Sequence, residues 1–242
     1  MRKYSLMLAT VFLSAMQLSA QNRLSTFLSE DEKAISESMK SPIGATGGRS
    51  MYIDGGREIE GSPFFKDEWM SADVIIDKIW YGNVLARLSF FSGKVHVKMD
   101  SSTFTVNAPI EELWLYGPDS LKGERYIFRT GFFRDQELTN TCLQVLSDGK
   151  VQFLKFRKAF AEEYPVPFEN PRVRYSFNDT YYIYGSSKEL NKVKLSKESI
   201  VAAVPEMYAE KLTKLIAEKK TKFKSEASII ELMDALNKDL PK

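Results

Sequence analysis

Between residues 74 and 184 the apolar residues come in short runs with period two, each closed off after a few residues by a turn signal. No other feature narrows the fold as much. Residues 94–99 alternate strictly: Val95, Val97 and Met99 turn to one face, Lys94, His96 and Lys98 to the other. That is the pattern of a half-buried strand. Runs of strand character also cover 74–80, 84–91, 103–107, 112–116, 125–130, 143–146, 151–156, 174–177 and 180–184. Tyr81-Gly82-Asn83, Ser92-Gly93 and Ser147-Asp148-Gly149-Lys150 separate successive runs. Connections this short join antiparallel neighbours, because a parallel pair needs a crossover of a dozen or more residues. Asp148-Gly149 suits the type I′ turn that matches the twist of a hairpin.

From Ser196 the period changes. Tyr208, Leu212, Leu215 and Ile216 recur at helical spacing with Lys and Glu between them, and Ile229, Ile230, Met233 and Leu236 make a second stripe. Ser196 and Ser225 are placed to cap helices, and Pro205 suits a helix start, where its missing N–H costs nothing. Strands followed by amphipathic helices predict an α+β domain. Its architecture is expected to be an antiparallel β-meander forming a twisted sheet or roll, with the C-terminal helices packed on it. The domain is expected over 62–242, with its helical part at 196–240. Residues 21–61, polar and rich in Ser and Gly, are expected to be a flexible lead with one short helix over 29–39.

The first twenty residues have a different character. Arg2 and Lys3 precede an apolar run over 6–16, and Leu18-Ser19-Ala20 offers a small residue before a cut at Gln21. That order is read by the export machinery. The run is far shorter than the ~20 residues of a spanning helix. With no Cys after the cut there is no lipid anchor, and no later stretch is apolar enough to span a bilayer. The expectation is therefore a signal peptide at 1–20 and a soluble mature chain in the periplasm or outside the cell. Without Arg2 and Lys3, 32 basic residues face 32 acidic ones, a balance unlike the basic footprint of a nucleic-acid binder. Cys142 is the only cysteine, so no intramolecular disulfide forms, and its apolar neighbours predict a packed core thiol.

Residues 61–69 (Gly-Ser-Pro-Phe-Phe-Lys-Asp-Glu-Trp) lead into Val74-Ile75-Ile76-Asp77-Lys78-Ile79. Residues 150–158 (Lys-Val-Gln-Phe-Leu-Lys-Phe-Arg-Lys), Tyr181-Tyr182-Ile183-Tyr184, and 193–200 follow, and then the C-terminal helix pair. In that order these blocks resemble a group of exported proteins common in Bacteroidetes-type bacteria. The resemblance spans most of the mature chain. It implies export and a β-rich fold, and it brings no catalytic residue with it.

Chemistry-bearing residues are few. His96, the only histidine, has Lys94 and Lys98 on its own face and is expected to point to solvent. One His and one Cys make no zinc set, and no Asp-rich loop has EF-hand spacing, so no metal or cofactor is expected. Gly44 to Gly48 and Gly55-Gly56 lack the strand, helix and Lys-Ser/Thr of a phosphate loop. Asp67-Glu68 and Glu111-Glu112 are carboxylate pairs, but adjacent strand residues point to opposite faces. The aromatics are the richest signal. Trp80, Trp114, Tyr116, Tyr182 and Tyr184 would either form a ligand platform, with Trp114 and Tyr116 on one strand face and Tyr182 and Tyr184 on another, or pack in the core of a sheet buried on both sides, as Leu113 and Leu115 on the opposite face indicate. The sequence thus favours a non-enzymatic envelope or extracellular protein, one that binds a protein or glycan partner or serves as a structural component. The alternative is a hydrolase acting on polysaccharide or peptide, with carboxylates assembled across strands.

Overall fold

The computed structural model describes residues 28–29, 51–54, 57–99, 102–118, 123–132 and 140–240. Among them the strands are β1 (Leu28–Ser29), β2 (Met51–Asp54), β3 (Arg57–Glu60), β4 (Met70–Ile76), β5 (Ile79–Leu88), β6 (Val95–Met99) and β7 (Ser102–Val106). They continue with β8 (Ile110–Tyr116), β9 (Arg125–Arg129), β10 (Leu143–Ser147), β11 (Gln152–Tyr164), β12 (Arg172–Tyr184) and β13 (Leu190–Val193). Three helices follow: α1 (Lys197–Ala203), α2 (Glu206–Lys219) and α3 (Glu226–Lys238). The signal peptide expected at 1–20 lies outside the described residues. So does the short helix expected over 29–39, apart from Ser29, which ends β1.

The strands form one sheet in the order β1-β7-β6-β5-β4-β8-β9-β10-β11-β12-β3-β2, with β13 also paired to β12. Pairing is antiparallel throughout except for β3 against β12. The fold is the expected α+β arrangement. The sheet curls until the Ala159 N–H of β11 donates to the Phe90 carbonyl just past β5, at 3.0 Å. The curl encloses a first core of Ala72, Val74, Tyr81, Leu88, Val97, Leu113, Leu115 and Phe128, among others. A second core lies between the β10–β13 end and the helices, where Val151, Phe153, Ile183 and Val193 meet Ile200, Leu212, Ile229, Leu232, Met233 and Leu236. Of the expected stripes, Tyr208, Leu212, Ile216, Ile229, Met233 and Leu236 are buried, Leu215 and Ile230 are partly buried, and Leu232 joins the core as well. Ser196 and Ser225 cap α1 and α3 by accepting the N–H groups of Ser199 and Ser228.

Several local readings need correction. The β4–β5 turn is Asp77-Lys78, not Tyr81-Gly82-Asn83: Ile76 pairs with Ile79, and both turn residues have positive φ, 50° and 62°. Two positive φ values in a two-residue loop are the type I′ signature. The Lys78 N–H is held by Glu111 Oε1 at 3.0 Å. Tyr81-Gly82-Asn83 lies inside β5 opposite a register shift in β4, and Asn83 donates its N–H to Asp73 Oδ1 at 3.2 Å.

Residues 174–177 and 180–184 are not two strands but parts of one, β12, which pairs with β11 over thirteen residue pairs from Gln152↔Tyr184 to Tyr164↔Arg172. Asn178-Asp179, a turn-like dipeptide, stays extended because Asp179 faces Arg157, whose Nε and Nη2 reach the two carboxylate oxygens at 2.7 and 2.6 Å. Finally, 51–60, read as part of the lead, supplies β2 and β3, and Ile59 is buried.

Candidate functional site

Cross-strand register decides which side chains share a face, since residues directly opposite one another point the same way. One register row runs Asp73, Trp114, Ile127, Val145, Leu154, Tyr182, Lys192 across β4, β8, β9, β10, β11, β12 and β13. Trp114 and Tyr182 therefore lie on the same face, the one turned away from the helices. They are four strand steps apart, roughly 19 Å along the sheet at ~4.8 Å per strand. The five aromatics of the expected platform do not form one surface. Trp80, Trp114 and Tyr116 gather around Asp73. Tyr182 and Tyr184 make a separate pair, both half-buried, with Phe132 edge-on to Tyr184 at 5.0 Å.

The Asp73 group is built by β4, β5 and β8. Asp73 is a lone charge in an otherwise apolar strand, buried on the face away from the first core next to the register shift. Its Oδ2 accepts the Tyr116 hydroxyl at 2.6 Å, and its Oδ1 accepts the Asn83 N–H. Burial, and then the bond to Asp73, pushes the Tyr116 hydroxyl up to about 12, so it remains a donor. A Cβ on Gly82 would stand 3.1 Å from Asp73 Oδ1 and 3.3 Å from Trp80 Cζ2. Glycine at this position therefore lets the Trp80 ring lie against the backbone beside the carboxylate. Trp80 itself is 62% exposed.

A charged chain continues from this group along β8 and β9. The Arg125 guanidinium stacks 4.6 Å above the Trp114 ring, and the Trp114 indole N–H donates to Glu112 Oε1. Glu112 Oε2 takes Arg129 Nε at 2.6 Å, and Arg129 Nη1 and Nη2 grip both oxygens of Asp148 at 2.7 and 2.8 Å. The hydrogen bond from Arg129 holds the Asp148 carboxyl below the usual range against the opposing effect of burial. A carboxyl with a depressed folded pKa stabilises the fold fully above its unfolded value of ~3.9 and loses that contribution as pH falls through the folded value. Asp148→Asn is thus expected to lower the urea midpoint at about pH 7, and the gap from the parent should close toward about pH 2. A gap that is constant across the titration would show that the ion pair contributes nothing.

Other expected positions fall elsewhere. Asp67 and Glu68 sit in the loop before β4, where Asp67 accepts from Ser62 Oγ at 2.9 Å. Glu111 and Glu112 turn to different partners, Lys78 and Arg129, so neither adjacent pair converges. His96 does not point to solvent. It is half-buried in the row Arg87, His96, Thr105, with Nδ1 3.1 Å from Thr105 Oγ1 and its ring edge-on to Phe64 at 5.7 Å. The cause is the 62–69 segment, which folds back over that face. There Phe64 bridges to Ser89, and Arg87 is sandwiched 4.2 Å from both the Phe64 and Trp69 rings. Cys142 stands just before β10 rather than within it. It is half-buried against the first core, and burial pushes its thiol up to about 12.

The residues that the sequence did not single out are Asp73, Arg125, Arg129 and Asp148. Only Asp73 left a visible trace there, as one acid inside an apolar strand. The described residues contain no cluster of three His, Cys, Asp or Glu placed to hold a metal, and no helix among them is long and apolar enough to cross a membrane. Compared with family models, with curated proteins and with solved structures, the chain matches none.

Proposed function

We propose that the chain is an exported, non-enzymatic binding protein of the bacterial envelope or its surroundings, which holds a glycan on the outer face of the sheet around Trp80. The observation that carries this reading is the exposed Trp80 ring beside Asp73 and Tyr116. An exposed indole offers a flat apolar face to the C–H face of a sugar ring. Export rests on the order of Arg2-Lys3, the apolar run over 6–16, and Ala20.

Hydrolysis is the less supported alternative. Asp73 and Glu112 stand diagonal to one another on β4 and β8, a separation of roughly 7–8 Å between such backbone positions. Both oxygens of each carboxylate, however, already accept hydrogen bonds from within the protein. A glycosidase instead needs two carboxyls turned to the scissile bond, and these two are turned to partners within the sheet.

The test uses the chain recovered from the periplasm or medium, whose intact mass should correspond to a start at Gln21. Binding of soluble oligosaccharides is followed by tryptophan fluorescence and calorimetry, for the parent and for Trp80→Ala. The variant should lose binding tenfold or more with an unchanged melting temperature. Retention of Met1 in a cytoplasmic pool, or equal binding by Trp80→Ala, would overturn the proposal. Release of reducing sugar that Asp73→Asn abolishes would replace it with the hydrolase.

A further inference from the structure

Where the curled sheet ends, near the β5–β6 turn, two cavities of about 180 and 160 Å³ share Gly93 and Cys142 in their walls. Together they reach the lower end of the ~300–1,000 Å³ range of small-molecule sites. Their inner walls are apolar: Leu88, Phe90 and Phe156 in the first, Val95, Val106 and Ile110 in the second. Of the described lining residues none is a carboxylate; Lys158 is an exposed cation and Arg157 a second one, ion-paired with Asp179. Asp179 holds Arg157 in place from the neighbouring strand through two hydrogen bonds. Lys158 is exposed, 5.6 Å from the Phe160 ring, and Phe91 is 53% exposed on the wall of the first cavity.

We infer that this cleft binds an anionic amphiphile: a single negative head group carrying an alkyl or aryl tail. The tail would lie against Phe156 and cover Phe91, releasing water from the apolar surface that Phe91 leaves wet. The head would stand at the rim beside Lys158 and Arg157. The exposed Lys158 ammonium beside apolar sides favours a negative head group over a positive one. The cleft is separate from the Trp80 group, so this inference stands or falls independently of glycan binding. Two sources share the chemistry, a free long-chain carboxylate and an anionic lipid head group, and they differ in whether the ligand is presented as a monomer or in a bilayer.

Calorimetry and displacement of anilinonaphthalene sulfonate on the full mature chain make the test. The probes are dodecanoate, dodecyltrimethylammonium with the same tail and opposite charge, acetate as the head alone, and vesicles of phosphatidylglycerol. Dodecanoate should bind one per chain, with acetate and the ammonium compound at least tenfold weaker. Binding to the vesicles would assign the head group to a lipid, and its absence would assign the site to the free acid. Lys158→Glu should weaken dodecanoate tenfold or more, Phe91→Ser should weaken it as well, and Lys214→Glu on α2 and Trp80→Ala should not. Circular-dichroism melting confirms that each variant is folded. Equal binding of both charge types, many molecules per chain, or indifference to both Lys158→Glu and Phe91→Ser would overturn the inference.

Discussion

A chain ending at Gly185 is expected to lose cooperative unfolding altogether and to bind apolar dyes, although every strand from β1 to β12 is retained. The cut removes β13 and α1 to α3, which supply Val193, Ile200, Val204, Tyr208, Leu212, Ile216, Ile229, Leu232, Met233, Leu236 and Leu240 to the second core. Only Val151, Phe153 and Ile183 of that core's buried residues would remain, fully enclosed in the intact protein and then open to water. Burying one such side chain contributes about 1.5–3 kcal/mol, and a whole domain is stable by only ~5–15 kcal/mol. Polar consequences add to the loss. Lys155, buried in the sheet, has its ammonium 2.8 Å from Glu226 of α3, and the same carboxylate accepts the Tyr181 hydroxyl at 2.8 Å. Truncation strands both. In the full chain, Leu212→Asp is the milder version: a charge at a position of zero exposure, expected to cost at least the ~2–5 kcal/mol of a Leu→Ala cavity. Thermal and urea denaturation check both. A truncated chain that melts as sharply as the full one would make the helices an independent appendage.

This division of labour was legible where it depended on local period. Val95, Val97 and Met99 announce a strand by themselves, and Tyr208, Leu212 and Ile216 announce a helix, because side-chain direction follows directly from backbone geometry. Trp114 and Tyr116 were placed on one face for the same reason. Long-range pairing was not legible. Nothing near Asn178-Asp179 says that a residue 22 positions earlier, Arg157, will keep the dipeptide extended. Ile76↔Ile79 pairing moved the β4–β5 turn onto Asp77-Lys78, residues that tolerate positive φ less readily than the Gly82-Asn83 that drew attention. His96 shows the limit of reading a face from its own strand. Its Lys neighbours mark a polar face, but the 62–69 segment that covers it comes from elsewhere in the chain. The Asp73 group likewise needs three strands in register before Trp80, Trp114 and Tyr116 have a common neighbour.

Asn237 and Gly149 are expected to behave as one unit, and replacing either should be costly. Asn237, in the last turn of α3, reaches the β10–β11 hairpin and mimics a strand edge: its Oδ1 accepts the Val151 N–H at 3.0 Å and its Nδ2 donates to the Val151 carbonyl at 2.7 Å. Val151 is fully buried, so Asn237→Ala leaves a donor and an acceptor without these bonds. At ~1–3 kcal/mol for each unsatisfied group, the expected loss for the two is about 2–6 kcal/mol. Gly149 sits in the turn at φ +146°, and a Cβ there would lie 2.5 Å from Asn237 Cγ and 2.6 Å from Oδ1. Glycine is therefore required twice at this turn, for its backbone conformation and for the approach of the asparagine. Gly149→Ala should pay both penalties in full in the parent, but once Asn237 is alanine only the conformational one and the residual clash with the retained Cβ at 2.9 Å. The costs should consequently fall short of additive in the double variant, as coupled neighbours do. Urea unfolding of the four proteins measures the coupling. Strict additivity would mean that α3 docks on the hairpin through its apolar stripe alone, and that the Asn237 contacts contribute no net stability.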